Sequence, residues 1–321
     1  MNFLLVIFMY GMWSSTFSLG KMALQHSPPI FLTGFRMLIA AVLLFAYLII
    51  RKKCSLKFTA KQWGLLGLLS VFSIYLTNAF EFWGLQHLSA AKTCFIYSLS
   101  PFFAALFSYF HFKEKMNPRK WLGVVIGFIG FVPLLASQKG AGELLTTLPF
   151  LSWPELSLMG ASICTAYGWI LLRMIVSPSS TTKENPPTPI SPLMANGISM
   201  CIGGFIALGH SCLIDSWTPT PIDSSHMPAF LQNVLCMALI SNVLCYNLYG
   251  FLLKKFTATF LSFMGLLSPI FASINSWFFL NEQPSITLFA CTAIVSIGLW
   301  IIYSAELRQG YILRDQRATT T

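Results

Sequence analysis

Two stretches of this chain repeat one another at a fixed distance. Ser89-Ala90-Ala91, Leu99-Ser100-Pro101-Phe102, Glu114 and Gly130 are matched by Thr257-Ala258-Thr259, Leu267-Ser268-Pro269-Ile270, Glu282 and Gly298, each pair 168 residues apart (268 − 100, for example). A constant offset held over about 40 residues marks an internal duplication. The expected units are 1–150 and 151–321, two copies of one half.

Each copy is strongly apolar. Of 321 residues only 9% are charged while 55% are hydrophobic, and mean hydropathy is +0.69, so a water-facing surface of ordinary polarity cannot be built. A membrane-crossing helix needs about 20 mostly apolar residues, and ten such runs stand at roughly 3–20, 29–50, 63–85, 89–112, 120–137, 155–176, 190–213, 229–252, 257–280 and 285–305. The expected fold is an all-α polytopic membrane protein of ten transmembrane helices. Five per copy is an odd number, so the copies form two inverted five-helix repeats. The first run lacks a basic flank and a small-residue cleavage pattern, and reads as a retained helix.

The net charge of +10 invites a nucleic-acid reading, but its placement argues for a lipid bilayer instead. With the N-terminus in the cytoplasm, 16 of the 20 Lys and Arg fall on the cytoplasmic side, in the loops around 51–61, 113–120, 173–183 and 254–255 and in the tail. Lys21, Lys92 and Lys139 fall on the far side and Arg36 lies within a helix. The positive-inside rule then puts both termini in the cytoplasm. The Ser-, Thr- and Pro-rich segment 177–192 reads as a cytoplasmic linker between helices 6 and 7. The eight cysteines show no CxxC and no His partner at ligand spacing, so they read as packing residues, with no metal and no cofactor expected.

Charges inside apolar runs are costly and therefore informative. Arg36 lies in helix 2 and Glu81 in helix 3, and their counterparts in the second half are read as the uncharged Asn196 and Asn247. Arg36 and Glu81 either contact cargo or pair with each other to hold their helices together. Glu114 and Glu282, at helix ends, read as caps or pairing groups, and His87, His111 and His210 as interfacial or packed. Gly123 and Gly127 give helix 5 a small-residue face for close packing. Inverted repeats place a binding site near the bilayer midplane between the halves and open it alternately to each side. Against an enzyme, no carboxylate pair, nucleophile with His partner, or Walker motif lies at one depth.

Several of these residues together resemble the drug/metabolite transporter superfamily, in its ten-helix EamA type. They are Trp13-Ser14-Ser15-Thr16-Phe17, Phe35-Arg36-Met37-Leu38-Ile39-Ala40-Ala41, and the two Ser-Pro repeats with Glu114 and Glu282. The likeness covers nearly the whole chain and makes each unit an EamA-like repeat. More narrowly, the sequence is similar to the S-adenosylmethionine/S-adenosylhomocysteine transporters of obligate intracellular bacteria. That resemblance implies uptake of S-adenosylmethionine across a bacterial inner membrane, with S-adenosylhomocysteine leaving in exchange. The alternative is an EamA-type transporter of amino acids, other metabolites or drugs. For S-adenosylmethionine, Arg36 would pair the carboxylate and Glu81 would face the ammonium or sulfonium. Aromatics Tyr10, Trp13, Trp83, Tyr97, Tyr167 and Trp169 would stack adenine and hold the sulfonium, with Asn247 a further candidate contact.

Overall fold

The computed structural model describes residues 2–53, 56, 58–112, 117–136, 152–176, 189–218, 220–222, 224–254, 256, 261, 264–283 and 286–308. Glu114, the Thr257-Ala258-Thr259 motif, most of the 177–192 linker and the C-terminal tail lie outside the described residues.

Prolines and hydroxyls set where the helices begin. After α1 (Asn2–Leu24), α2 (Pro29–Ile50) opens on Pro29, whose fixed φ and missing N–H suit a first helical position. Thr59 and Gln62 form a reciprocal capping box at the start of α3 (Ala60–Leu69). The helix then passes through a π-helical segment, Ser70–Leu76, into α4 (Thr77–His87). Ser89 caps α5 (Ala90–Tyr97) by accepting from Lys92 N at 3.2 Å. There follow α6 (Ser100–Phe112), α7 (Pro118–Ala136) and α8 (Trp153–Val176). α9 (Pro192–Ile214) again opens on a proline and is capped by Ser191. The chain continues through α10 (Met227–Met237), a second π-helical segment, Ala238–Cys245, and α11 (Tyr246–Leu252). It closes with α12 (Ser268–Leu280) and α13 (Ile286–Arg308).

All regular structure among the described residues is helical. Among the described residues, six helical runs are long and apolar enough to cross a membrane: Pro29–Ile50, Ala60–His87, Ala90–His111, Trp153–Val176, Pro192–Ile214 and Met227–Leu252. A shorter apolar stretch covers Phe289–Ala305. Large apolar side chains such as Leu213, Phe278 and Ile286 are exposed, as the hydrocarbon-facing surface of such a bundle requires.

Two helix pairs run along one another, α2 with α9 and α7 with α13. The second pair crosses on glycine. A Cβ on Gly123 would sit 2.5 Å from the Gly298 carbonyl oxygen, and one on Gly298 would sit 2.6 Å from that of Gly123. Lipid tails are as apolar as the helix surface, so close backbone approach supplies the association. The small-residue face read in the sequence is therefore a packing face.

The π-helical segments begin 168 residues apart (238 − 70), the offset of the sequence motifs. A π turn leaves carbonyls without their usual partners, and an asparagine satisfies them in each case. Asn78 Nδ2 donates to Ile74 O at 2.7 Å and Ser73 O at 3.4 Å. Asn247 Nδ2 donates to Val243 O at 2.8 Å and Asn242 O at 3.3 Å.

Candidate binding cavity

Each asparagine also accepts from the preceding apolar run of its half. Arg36 Nη2 of α2 donates to Asn78 Oδ1, and Asn196 Nδ2 of α9 donates to Asn247 Oδ1 at 3.0 Å. By bonding, the counterpart of Asn247 is Asn78, not Glu81 as the sequence register suggested. That pairing spans 169 residues (247 − 78), one more than the Ser-Pro motifs, matching the one extra residue of the second π-helical segment.

Arg36 is 2% exposed. Its guanidinium lies 4.8 Å from the centroid of the Phe82 ring, and its Nε has no hydrogen-bond partner. Among the described residues it makes no direct ion pair with Glu81, although the two attract one another through space. The reading in which they hold helices together by pairing is thus replaced by an Arg36–Asn78 hydrogen bond. Both charges instead line a shared cavity.

The cavity wall is aromatic on one side. Trp13 of α1 meets Trp169 of α8 edge-on at 5.7 Å and Tyr246 at 5.2 Å, while Trp169 stacks on Tyr249 at 4.1 Å. Tyr10 stacks beside Trp13 at 6.3 Å and donates to Leu261 O at 2.7 Å, which fixes its ring. Across from this cluster, Tyr97 OH and Thr165 Oγ1 share a 2.7 Å hydrogen bond, and Ser98, Ser100 and Ser268 add hydroxyls. A buried guanidinium with a spare donor, a carboxylate and broad π faces suit an amphipathic molecule carrying both charges and a flat ring.

Of the residues singled out in the sequence, Tyr10, Trp13, Arg36, Glu81, Tyr97 and Trp169 line this cavity. Three stand elsewhere. Trp83 is 38% exposed and packs against His87 at 5.1 Å. Tyr167 is held by Phe72, Phe107 and His111 at 5.0–5.5 Å. The Asn247 amide is taken up by its own π segment and by Asn196. His87 and His111 are thus packed on rings outside the cavity, and His210 Nδ1 bonds Tyr75 OH at 2.8 Å. The sequence reading missed Asn78, Thr165, Tyr246 and Tyr249.

Glu282 does pair and cap, as its position at a helix end suggested. It accepts from Lys21 Nζ at 2.8 Å and from Ala90 N, at the first turn of α5, at 3.3 Å.

The model of the EamA-like transporter family matches residues 1–136 and 152–304. An S-adenosylmethionine/S-adenosylhomocysteine transporter of Chlamydia muridarum is 38% identical over 306 residues, covering 95% of this chain and 92% of that protein. One from Chlamydia trachomatis serovar L2 is 37% identical over 305 residues, covering 95% and 89%. A protein known from its crystal structure superposes with a TM-score of 0.67 at 16% identity, covering 95% of this chain and 97% of that one, and so shares the fold. With both matched segments spanning its length, and with this cavity at the centre of an all-helical bundle, the chain belongs to the EamA-like transporter family.

Proposed function

We propose that this protein imports S-adenosylmethionine in exchange for S-adenosylhomocysteine, by alternating access, across a bacterial inner membrane with both termini in the cytoplasm. In this reading it has ten membrane-spanning helices in two inverted five-helix repeats. The shared 168-residue offset of the Ser-Pro motifs and the π-helical segments supports that architecture, as do the pairings of α2 with α9 and α7 with α13.

The observation that carries the cargo assignment is the cavity that unites Arg36, Glu81 and the rings of Trp13, Trp169, Tyr246 and Tyr249. Arg36 Nε, buried and unpartnered, would take a carboxylate oxygen. Glu81 would face the ammonium, and the aromatic wall would hold adenine and the sulfonium. The printed names of the Chlamydia relatives agree with this set of groups. A cargo without a ring or a cationic sulfur, such as an aliphatic amino acid, would leave the aromatic wall without a partner.

The test is ligand stabilisation of the purified protein. A ligand at a hundred times its Kd stabilises by about 2.7 kcal/mol. S-adenosylmethionine and S-adenosylhomocysteine should both raise Tm, whereas methionine and adenosine, each half of the cargo, should do so only at far higher concentration. Equal stabilisation by methionine would assign an amino-acid site instead.

A further inference from the structure

The Lys21–Glu282 pair holds more than itself. Lys21 Nζ also donates to the Leu88 carbonyl at 2.9 Å, and Glu282 accepts from Ala90 N, so the pair grips the chain as it enters α5. Beneath this clasp α1, α5 and α12 pack against one another. On α1, Ser14 lines the cavity, Ser18 follows one turn later and Lys21 reaches the clasp, a spacing of i, i+4, i+7 that keeps one face. On α5 the same passage runs from Tyr97 through Thr93 to Ala90. Each covers about 10 Å at 1.5 Å per residue.

Among the apolar side chains between cavity and clasp stand four unsatisfied hydroxyls. The hydroxyls of Ser18, Thr93, Ser273 and Ser276 have no hydrogen-bond partner, on residues no more than 1% exposed. Hydroxyls elsewhere in this bundle avoid that cost by bonding a carbonyl one turn back, as Ser14, Ser70 and Ser162 do. A permanent seal would be built from apolar side chains, since a buried unpaired hydroxyl is unfavourable. Four of them stand along this one seam.

We propose that the α1–α5–α12 seam is the closed half of the translocation route, that these hydroxyls line it when it opens, and that Lys21–Glu282 is its gate. The proposal rests on the transporter reading of the cavity above, and in the orientation given there the gate faces the periplasm. The far side of α5 is tied down: Lys92 pairs with Glu155 of α8 at 2.5 Å, Ser162 donates to Ile96 O at 3.2 Å, and Tyr97 bonds Thr165. Opening therefore carries α5 and α8 together away from α1 and α12, and it breaks the Lys21–Leu88 and Ala90–Glu282 hydrogen bonds.

The test is labelling of the full-length protein in right-side-out vesicles with a membrane-impermeant methanethiosulfonate reagent, read peptide by peptide by mass spectrometry. Ser18→Cys and Thr93→Cys should be modified, and adding Glu282→Gln, or Lys21→Met should that variant fail to fold, should speed both several-fold. Ala23→Cys is the control, because Ala23 is fully buried and closer to the clasp in sequence but off the Ser14–Ser18–Lys21 face. Labelling of Ser18→Cys and Thr93→Cys no faster than Ala23→Cys in every background would overturn the proposal. So would an equal acceleration of Ala23→Cys by Glu282→Gln, which would mean loosened packing. This readout needs no cargo, so an absence of S-adenosylmethionine uptake by the unmodified protein would sink the cargo reading separately.

Discussion

Replacing Arg36 with lysine tests the chemistry of the cavity while keeping its charge. The guanidinium is almost wholly buried, spends one N–H on Asn78, lies over Phe82 and leaves Nε without a partner. A bound carboxylate would take two of its N–H groups in parallel, whereas an ammonium is a compact point charge that offers no such fork. The loss is one charge-assisted hydrogen bond, about 1.5–3 kcal/mol, or roughly 10- to 150-fold in affinity at 1.36 kcal/mol per tenfold. The assay is competition against labelled S-adenosylmethionine by S-adenosylhomocysteine and by its decarboxylated analogue. Arg36→Lys should weaken S-adenosylhomocysteine by that factor and leave the decarboxylated analogue where it was. Equal weakening of both, or of neither, would refute the pairing of Arg36 with the carboxylate.

Glu81→Gln should insert normally yet lower S-adenosylmethionine uptake by about tenfold or more, the equivalent of one unit of pKa-scale interaction energy near 1.4 kcal/mol; wild-type uptake would remove Glu81 from the site. One-for-one exchange carries a net positive charge inward, because S-adenosylmethionine has a sulfonium that its product lacks. An inside-negative potassium-diffusion potential should therefore favour accumulation by about 2.3 kcal/mol per 100 mV, and uptake indifferent to the potential would contradict the exchange. Gly123→Val sets a side chain 2.5 Å from the Gly298 carbonyl and should cost about 1–3 kcal/mol or more of stability. A normal monodisperse elution profile at the wild-type Tm would show that the α7–α13 crossing is not tight.

Much of the bundle was legible because its signals are local. Apolar runs, Pro29 and Pro192 at helix starts, Ser89 as a cap and Gly123 at a crossing each act through neighbouring chemistry. What was harder to read is rotation about the helix axis. Membrane helices are apolar on every side, so no stripe marks the inward face. Residues two apart on a helix point about 200° away from one another. Of the pairs Glu81 and Trp83, and Tyr167 and Trp169, the cavity takes one residue each. The π-helical segments were not legible, since nothing in Ser70–Leu76 or Ala238–Cys245 announces a wider turn, and they shift the register of everything after them.

The central claim is the cargo, and uptake measures it most directly. Bacterial cells expressing the protein would be given labelled S-adenosylmethionine with unlabelled S-adenosylhomocysteine or methionine as competitor. Saturable uptake blocked by S-adenosylhomocysteine and unaffected by methionine is the result this account predicts. No uptake above the empty-vector control, with the protein present in the membrane, would contradict it.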